Sequence, residues 1–313
     1  MDSTALACSV ITHEEWIPRV MAEQIDSCSK GPNPQQRVIL HHHHGFGPVR
    51  EVGVKEAVWI TPGLLIAQNA WLASQGRPSW VLSAPPTMWL DGLDRSLTGR
   101  RILTVTAGII LTWRRLPSGL GKRPWSQLAA GRVSGLPAAR RTLEDLQSDL
   151  RTAPARSLIR IQAHLPSIHE EWRVIIDRGR IAASSGYCLH EGEDSRVITT
   201  VFDGAVFDPR HQTIAEGCAL QAAKGRSPAP ISVDLAFLRG SDRPLILEGN
   251  PVWCAAPYAY GSQGMASFLK AVAACRTDPV DPYQPDPWML REFGGRFRSS
   301  WGPVRPDQTM VMP

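Results

Sequence analysis

Two apolar segments in the second half of the chain carry polar side chains whose oxygen atoms are suited to a metal ion. Asp234 lies inside the apolar run Ile231–Leu238, and Glu248 and Asn250 close the next run, which begins near Pro244. Residues two apart on a strand point to the same face, so Glu248 and Asn250 are expected to face one ligand. Mg²⁺ prefers oxygen ligands, usually a couple of carboxylates completed by water and substrate phosphates. The pattern predicts a magnesium site at Asp234, Glu248 and Asn250, with a merely hydrogen-bonded hairpin end as the alternative.

The elements that would position these residues can be inferred from the residue patterns around them. Residues 239–242 join the two apolar runs with the length and composition of a hairpin loop, so two antiparallel strands are predicted. A second hairpin is predicted upstream, where the strand-like runs 172–177 and 180–184 flank the turn at Arg178 and Gly179. Both hairpins would bring side chains of neighbouring strands face to face.

Further elements are predicted from capping residues and apolar spacing. Thr142, with Asp145 three residues later, forms the pattern of a capping box and predicts a helix over 142–150. Other segments are assigned by periodicity and composition, with strands at 101–113 and 158–162 and helices at 213–224 and 265–275.

The chain is expected to divide into three parts. Residues 1–99 contain short apolar segments at 38–40, 58–60 and 80–82 separated by turn residues, which predicts the strands and short helices of a small α/β lobe. Residues 100–276 form the central domain. The Pro- and Asp-rich residues 277–313 are expected to form an extended or partly disordered extension.

The bulk composition excludes several classes of protein. The 313 residues are 43% hydrophobic and 20% charged, which is typical of a globular protein, and no apolar run approaches the roughly 20 residues that cross a bilayer. No secretory signal is predicted, so residence in the cytoplasm is expected. The six cysteines, at 8, 28, 188, 218, 254 and 275, show no regular spacing and are expected to be reduced thiols. A net charge of +5 without a basic block argues against nucleic-acid binding.

The metal-site pattern resembles that of a known superfamily. Asp234 followed by Glu248-Gly-Asn250-Pro251 on the next strand is similar to the metal-binding signature of the ATP-grasp superfamily. Upstream, Glu171-Trp-Arg173 with its apolar strand and glycine turn resembles a compact, poorly characterised ATP-grasp clade. The similarity covers residues 97–275. It implies an α+β ATP-grasp fold, in which two α+β lobes grip ATP, preceded by an N-terminal α/β pre-ATP-grasp lobe.

The resemblance also implies roles for individual residues. Asp234, Glu248 and Asn250 would hold Mg²⁺ and, together with Arg173, act in catalysis. Glu171 would bind the ribose hydroxyls or help to order the site, and Arg173 would approach the phosphates. The hinge strand that contacts adenine matches Gln162, Ala163, His164 and Leu165. The family's phosphate-contacting lysine before a proline is replaced by Arg123, with Lys122 beside it, and which of the two contacts phosphate stays open.

The function implied by the resemblance is ATP-dependent ligation of a carboxylate to an amine through an acyl phosphate, with release of ADP and phosphate. The expected cofactors are ATP and Mg²⁺, and the expected partners are small carboxylate and amine substrates, such as an amino acid or peptide, with a homodimer left open and no membrane partner. Two alternatives remain. One is an ATP-grasp phosphotransferase, and the other is a catalytically weakened nucleotide-binding protein, which the departure at Arg123 suggests.

Other conspicuous residues are expected to be structural or to line the cleft. The four consecutive histidines at 41–44 are interpreted as a strand end and loop that faces the cleft. The alternative, a metal site, is disfavoured because alternate residues of a strand point to opposite faces, so at most two of the four could share a metal. Most of the eleven tryptophans are expected in the core. Trp253 and Tyr258, just beyond the metal ligands, are the candidates for a substrate cleft.

Overall fold

The computed structural model describes residues 5–29, 38–45, 47–53, 56–192, 194–201, 203, 207–295 and 309–311, with the backbone alone at 27–29, 194 and 309–311. The side chain of Cys28 therefore lies outside the described part. The strands are β1 (Leu6–Thr12), β2 (Val38–His44), β3 (Ala57–Ile60), β4 (Ile102–Thr106), β5 (Trp125–Leu128), β6 (Ala139–Arg140), β7 (Leu158–Gln162), β8 (Ile168–Asp177), β9 (Arg180–Glu191), β10 (Asp194–Val197), β11 (Ile231–Leu238), β12 (Leu245–Pro251) and β13 (Thr309–Val311). The α-helices are α1 (Trp16–Ser29), α2 (Pro62–Ser74), α3 (Arg95–Thr98), α4 (Ala107–Leu111), α5 (Leu143–Asp149), α6 (Pro209–Ala223), α7 (Gly261–Thr277) and α8 (Pro287–Phe293).

The first sheet has the order β13-β2-β1-β3, with β1 parallel to both β2 and β3. Parallel strands need crossover connections, which α1 supplies between β1 and β2. Residues from β1 and β3 are buried against α1 and α7 in one apolar cluster. The expected α/β architecture of this part is therefore confirmed.

The segment at 80–82 is not a strand, contrary to the sequence-based prediction. The side chain of Asn69 in α2 accepts a hydrogen bond from the backbone N of Trp80 at 2.8 Å and donates one to its O at 3.0 Å. The Asn69 side chain thus makes the backbone hydrogen bonds of Trp80 that a neighbouring strand would otherwise make. Only Ser83, just beyond the segment, forms an isolated bridge, to Pro282.

The second sheet is antiparallel, with the order β4-β7-β5-β6. The predicted strand at 101–113 is wrong in its second half, because β4 ends at Thr106 and α4 begins at Ala107. Ile110 is fully buried whereas Ile109 is half exposed. A short apolar run does not distinguish a buried strand from a helix by its pattern alone. The predicted capping box of Thr142 and Asp145 is present at the start of α5.

The third sheet is antiparallel, with the order β10-β9-β8-β11-β12. Both predicted hairpins, β8–β9 and β11–β12, are present. Val174 of β8 packs in the cluster with α6, whereas its neighbour Ile175 packs in the cluster with α7. The two helices therefore cover opposite faces, and α7 lies between the first and third sheets. Of the helices within the described ranges, none combines the length and apolarity required to span a membrane.

Segments near the end of the chain contact the first and second sheets. Trp288 and Met289 of α8 are buried in the apolar cluster of the second sheet, and α8 also contacts α2. Asp286 caps α8 and accepts a hydrogen bond from the backbone N of Leu158 in β7 at 2.8 Å. The final strand, β13, pairs antiparallel with β2. Residues 287–293 are thus a folded helix that packs against the second sheet and α2, and the expectation of an extended or partly disordered extension is wrong for this segment.

Candidate functional site

A buried ion pair lies at the centre of the third sheet. Arg173 on β8 and Asp234 on β11 are register neighbours. The guanidinium donates through Nε to Oδ1 and through Nη2 to Oδ2, both at 2.7 Å. The two side chains are only 9% and 2% exposed. This two-pronged geometry fixes the Asp234 carboxylate in one orientation.

The other two predicted metal ligands lie beside Asp234 on β12. Glu248 is paired with Asp234 across the β11–β12 hairpin, and Asn250 is paired with Ser232. Asn250 Nδ2 lies 3.5 Å from Asp234 Oδ2. Glu248 and Asn250 both line a cavity of about 600 Å³, as does Arg173. The structure therefore brings the three predicted ligands together, with two of them facing the same space.

The protonation of the two carboxyl groups differs. Burial raises the pKa of Asp234 to about 7, aided by Glu248 and opposed by Arg173. Burial also acts to raise the pKa of Glu248, but hydrogen bonds from Asn250 and Asp234 and the charges of Arg173 and Arg160 outweigh it and lower that pKa. Glu248 is thus an ionised carboxylate at the cavity wall. A divalent cation beside it would also favour the ionised form of Asp234.

Two tyrosines form an aromatic wall around the ion pair. The rings of Tyr187 and Tyr258 are stacked with centroids 4.5 Å apart and planes 4° apart. The guanidinium carbon of Arg173 lies 5.4 Å from the Tyr187 centroid and 4.7 Å from the Tyr258 centroid. Arg173 Nη1 also lies 3.3 Å from the Ala256 carbonyl oxygen. All three nitrogens of Arg173 are therefore engaged within the protein, and its main contact is with Asp234.

Glu171, predicted to bind ribose, lies two residues before Arg173 on β8. It accepts hydrogen bonds from the Tyr187 hydroxyl, and its Oε1 lies 2.7 Å from His190 Nε2. Its side chain is 18% exposed. Tyr187 therefore contacts both residues: its hydroxyl group bonds to Glu171, and the face of its ring lies against the guanidinium group of Arg173.

The predicted hinge follows β7 and connects the second sheet to the third. Gln162 Oε1 accepts hydrogen bonds from Arg100 Nε at 3.2 Å and Nη2 at 2.7 Å. Arg100 also donates to the carbonyl oxygens of Ile246 and Leu247 in β12. A buried arginine therefore connects the end of β7 to the strand that carries Glu248. The remaining hinge residues stand between the two strands, with Ala163 and Leu165 half-buried and His164 exposed.

The predicted phosphate-contacting residues are not part of this arrangement. Lys122 and Arg123 are exposed in the loop before β5, and neither lines the 600 Å³ cavity. A basic residue that the sequence reasoning missed lines it instead: Arg160 on β7, opposite Gln127 of β5. Arg160 is 4% exposed, donates from Nη2 to the Thr87 carbonyl at 2.8 Å, and has no hydrogen-bond partner for Nε among the described residues. The sequence feature that could have indicated this position is the presence of an arginine inside the apolar strand Leu158–Gln162.

The cavity lies where all three sheets meet. Residues of the first part, the second sheet and the third sheet contribute to its wall, among them His13, Trp16, Trp59, Thr61, Gln127, Arg160, Glu248, Asn250 and Tyr258. The prediction that Tyr258 lines a cleft agrees with this position. The corresponding prediction for Trp253 is wrong, because that side chain is fully buried and donates to the Ser83 carbonyl at 2.7 Å.

The histidine run forms the end of β2, so the predicted strand end is confirmed and the predicted loop is wrong, and none of the four histidines lines the 600 Å³ cavity. His41 Nδ1 lies 2.6 Å from Glu56 Oε1, and His43 Nε2 lies 3.1 Å from Ser9 Oγ, which itself donates to Glu56 at 2.7 Å. His42 and His44 form an edge-to-face ring pair. The alternation expected of a strand is therefore present, and His41 and His43 bind a buried Ser–Glu pair. Cysteines 8, 188, 218, 254 and 275 are free thiols.

Several solved structures are similar to this chain. They include the D-alanine–D-alanine ligase from Bacillus anthracis, with 12% identity, a TM-score of 0.46 and coverage of 88% of this chain and 100% of the other. A RimK-domain ATP-grasp protein from Sphaerobacter thermophilus has 13% identity, a TM-score of 0.45 and coverage of 88% and 99%. D-alanyl-alanine synthetase A from Vibrio cholerae has the same identity, TM-score and coverages. No protein-family model matches the sequence, and no curated protein matches it.

Proposed function

We propose that this chain is an ATP-grasp enzyme that binds Mg-ATP between the second and third sheets and ligates a carboxylate to an amine. The observation that carries this proposal is the placement of opposite charges around one cavity. Glu248 and Asn250 line it from the third sheet, and the buried Arg160 lines it from the second. A site with oxygen ligands on one wall and a buried cation on the other suits a metal-bound polyphosphate.

The donor set fits Mg²⁺. Asp234, Glu248 and Asn250 offer two carboxylates and an amide oxygen, which leaves positions for water and phosphate oxygens. Both oxygens of Asp234 accept hydrogen bonds from Arg173, which fixes the carboxylate in one orientation beside Glu248 and Asn250. Bound Mg²⁺ would neutralise the triphosphate and the charge that develops as the γ-phosphoryl group moves to the acceptor.

Arg160 supplies positive charge from the opposite sheet. Within the described ranges its Nε has no hydrogen-bond partner, although the side chain is almost fully buried. Leaving a buried charged donor unsatisfied is costly, so an anion at this position would recover that free energy. We assign the contact with a phosphate oxygen to Arg160. The contacts earlier expected of Lys122 and Arg123 remain predictions.

The adenosine would lie toward the hinge. Gln162 is the last residue of β7, Ala163, His164 and Leu165 follow it toward β8, and Glu171 is the fourth residue of β8. In this arrangement the hinge backbone would contact adenine and Glu171 would accept hydrogen bonds from the ribose hydroxyls. Tyr187 holds Glu171 for this role through its hydroxyl group.

The acceptor would enter from the side of the first sheet. Trp16, Trp59 and the first residues of α2 line the same cavity as Glu248 and Arg160. A carboxylate there can attack the γ-phosphorus in line, which forms an acyl phosphate and releases ADP. An amine then attacks the acyl carbon and phosphate leaves, so an amide is formed without a covalent enzyme intermediate.

The test is an incubation of the purified protein with ATP, Mg²⁺ and a panel of amino acids and short peptides. Ligation predicts ADP and phosphate in equal amounts and a product whose mass is the sum of two substrates minus water. A stable phosphorylated product would instead support the phosphotransferase. Nucleotide binding without ADP formation from any acceptor would support the weakened binding protein, which the exposed positions of Lys122 and Arg123 favour as the second candidate.

A further inference from the structure

A second cluster of metal-ligand side chains lies on β8 and β9. Glu171 and Cys188 are register neighbours, and His190 follows two residues later on the same strand. One ligand atom of each residue lies within 4.8 Å of the other two. His190 Nε2 lies 2.7 Å from Glu171 Oε1 and 3.6 Å from Cys188 Sγ. Among the side chains that the structure describes, this is the one group of three His, Cys or acidic residues with that spacing.

The chemistry of this cluster differs from that of the magnesium ligands. A thiolate, an imidazole and a carboxylate are the ligand types of Zn²⁺ and related transition metals, whereas Mg²⁺ takes oxygen alone. Zn²⁺ is bound tetrahedrally, at about 2.0–2.3 Å from each ligand atom. Three protein ligands leave the fourth position for water or an exchangeable ligand.

The surroundings of the three residues orient them as a metal site requires. A metal-bound histidine usually has its second ring nitrogen hydrogen-bonded to a fixed partner. His190 Nδ1 lies 2.9 Å from Ser195 Oγ on β10, which leaves Nε2 directed at Glu171 and Cys188. The second oxygen of Glu171 is held by the Tyr187 hydroxyl. Each ligating group therefore has an outer partner or a buried position.

The cluster is also reachable from solvent. The side chain of His190 is 25% exposed and that of Glu171 is 18% exposed, whereas Cys188 is buried beneath them. An ion can therefore enter past the histidine and the carboxylate to reach the sulfur. A buried thiol with such an entry route can exchange metal without unfolding of the sheet.

We propose that Glu171, Cys188 and His190 form a binding site for a transition-metal dication of the Zn²⁺ class. Binding converts the Cys188 thiol to a thiolate, forms one bond each from sulfur, nitrogen and oxygen to the metal, and releases the thiol proton to solvent. The metal replaces the direct hydrogen bond between Glu171 and His190. The site is separate from the magnesium ligands on β11 and β12.

The position of Glu171 gives the site a regulatory consequence, which rests on the proposed function. The carboxylate that would bind the ribose hydroxyls is the same one that binds the metal. An ion there withdraws Glu171 from the nucleotide, so the metal and ATP bind competitively. The class of regulator is a thiophilic divalent cation, and its effect is inhibition.

Co²⁺ is the probe for the site, because bonds between cobalt and sulfur give a charge-transfer absorption that oxygen and nitrogen ligands alone do not. The full chain, freed of metal, is expected to bind one Co²⁺ with this absorption, and Zn²⁺ is expected to remove it. Cys188→Ser and His190→Asn are expected to lose the absorption, whereas Cys218→Ser, on α6, retains it. Ser195→Ala is expected to weaken Co²⁺ binding about 10-fold because it removes the outer partner of His190.

An absent charge-transfer band, or a band that survives Cys188→Ser, overturns the metal site. A rise in the thermal unfolding temperature of the wild-type chain with Zn²⁺, absent in both His190→Asn and Cys188→Ser, supports it independently. Competition is tested separately by titration of Mg-ATP against the Co²⁺-loaded chain, with Mg²⁺ in large excess so that the nucleotide phosphates carry Mg²⁺ and do not remove Co²⁺ from the protein. A cobalt site that ATP leaves unchanged, in a chain that binds ATP, overturns the inhibitory role. A chain that binds cobalt and no ATP contradicts the proposed function and leaves the metal site intact.

Discussion

Arg173 and Asp234 are joined by two hydrogen bonds of 2.7 Å across β8 and β11, and both side chains are almost completely buried. Asp234 is therefore a structural partner as well as a proposed metal ligand. Substituting it removes two functions at once. Glu248, which makes no such ion pair with any described residue, offers the cleaner test of the metal site.

At a pH above 7, where Asp234 is ionised, Asp234→Asn is expected to lower the free energy of unfolding by about 3 kcal/mol, because it leaves the Arg173 charge buried without its counter-ion. Chemical denaturation measures the change. The double variant Arg173→Gln with Asp234→Asn is expected to recover part of the loss, since two neutral amides can hydrogen-bond to each other. A double variant whose loss equals or exceeds the sum of the single losses would contradict the proposed coupling.

Glu248→Gln is expected to lower the rate of ADP formation at least about 100-fold, because it removes a carboxylate from the metal. The free energy of unfolding should change little in comparison with Asp234→Asn. The matched control is Glu191→Gln, an exposed position at the end of β9. The rate of ADP release with the best acceptor measures both, and unchanged turnover in Glu248→Gln would remove this residue from the site.

Arg160→Gln is expected to weaken ATP binding about tenfold, because it deletes the buried cation that faces the cavity. The double variant Lys122→Gln with Arg123→Gln removes two exposed charges outside the cavity and is expected to have a smaller effect. Calorimetric titration of ATP into each variant compares the two interpretations. A larger loss of ATP affinity in the Lys122→Gln, Arg123→Gln double variant would indicate that one of these residues, and not Arg160, contacts the phosphate.

The difference between Arg160 and the loop residues illustrates what the sequence could predict. The proximity of Asp234, Glu248 and Asn250 was predictable because a two-residue period and a hairpin loop place them by local geometry. The position of Arg160 depends on how the second sheet packs against the third. Packing between the two sheets brings together residues that are far apart in sequence, so no local sequence pattern predicts it.

The fold shows the same limit. The hairpins and the capping box of Thr142 follow from local rules and were predicted. Residues 80–82 have strand composition, but the side chain of Asn69 satisfies the backbone of Trp80. The apolar run after Thr106 continues as helix α4, where the backbone N of Gly108 bonds to the carbonyl of Ala155. In both segments backbone groups bond to residues outside the local pattern, Asn69 for Trp80 and Ala155 for Gly108.

Arg100→Met is expected to raise the KM for ATP and to destabilise the protein by about 3 kcal/mol, because it leaves several buried carbonyls without their donor. Arg100 donates to Gln162 at the hinge and to Ile246 and Leu247 on β12. The matched control is Arg101→Met, whose side chain, in the described part of the chain, bonds to the exposed Ser118. Steady-state kinetics and denaturation measure both variants, and equal effects of the two would contradict a specific role for Arg100.

The glycine between Glu248 and Asn250 gives the last prediction. A Cβ at Gly249 would lie 2.6 Å from the ring of Trp89, closer than side chains can approach. Gly249 does not have a positive φ, so the requirement is for space and not for backbone freedom. Gly249→Ala is therefore expected to push β12 away from Trp89, which costs about 2 kcal/mol of stability and displaces both neighbouring ligands.

Trp89→Leu provides the rescue, because the smaller side chain leaves room for the added methyl group. Alone it should be destabilising, since it leaves a cavity beside β12. Combined with Gly249→Ala it is expected to restore part of the stability and part of the Mg²⁺-dependent ADP formation that the single variant loses. Denaturation and ADP release measure the double-mutant cycle. Additive losses would mean that Trp89 does not set the position of β12, and that the spacing of Glu248 and Asn250 is maintained by other contacts.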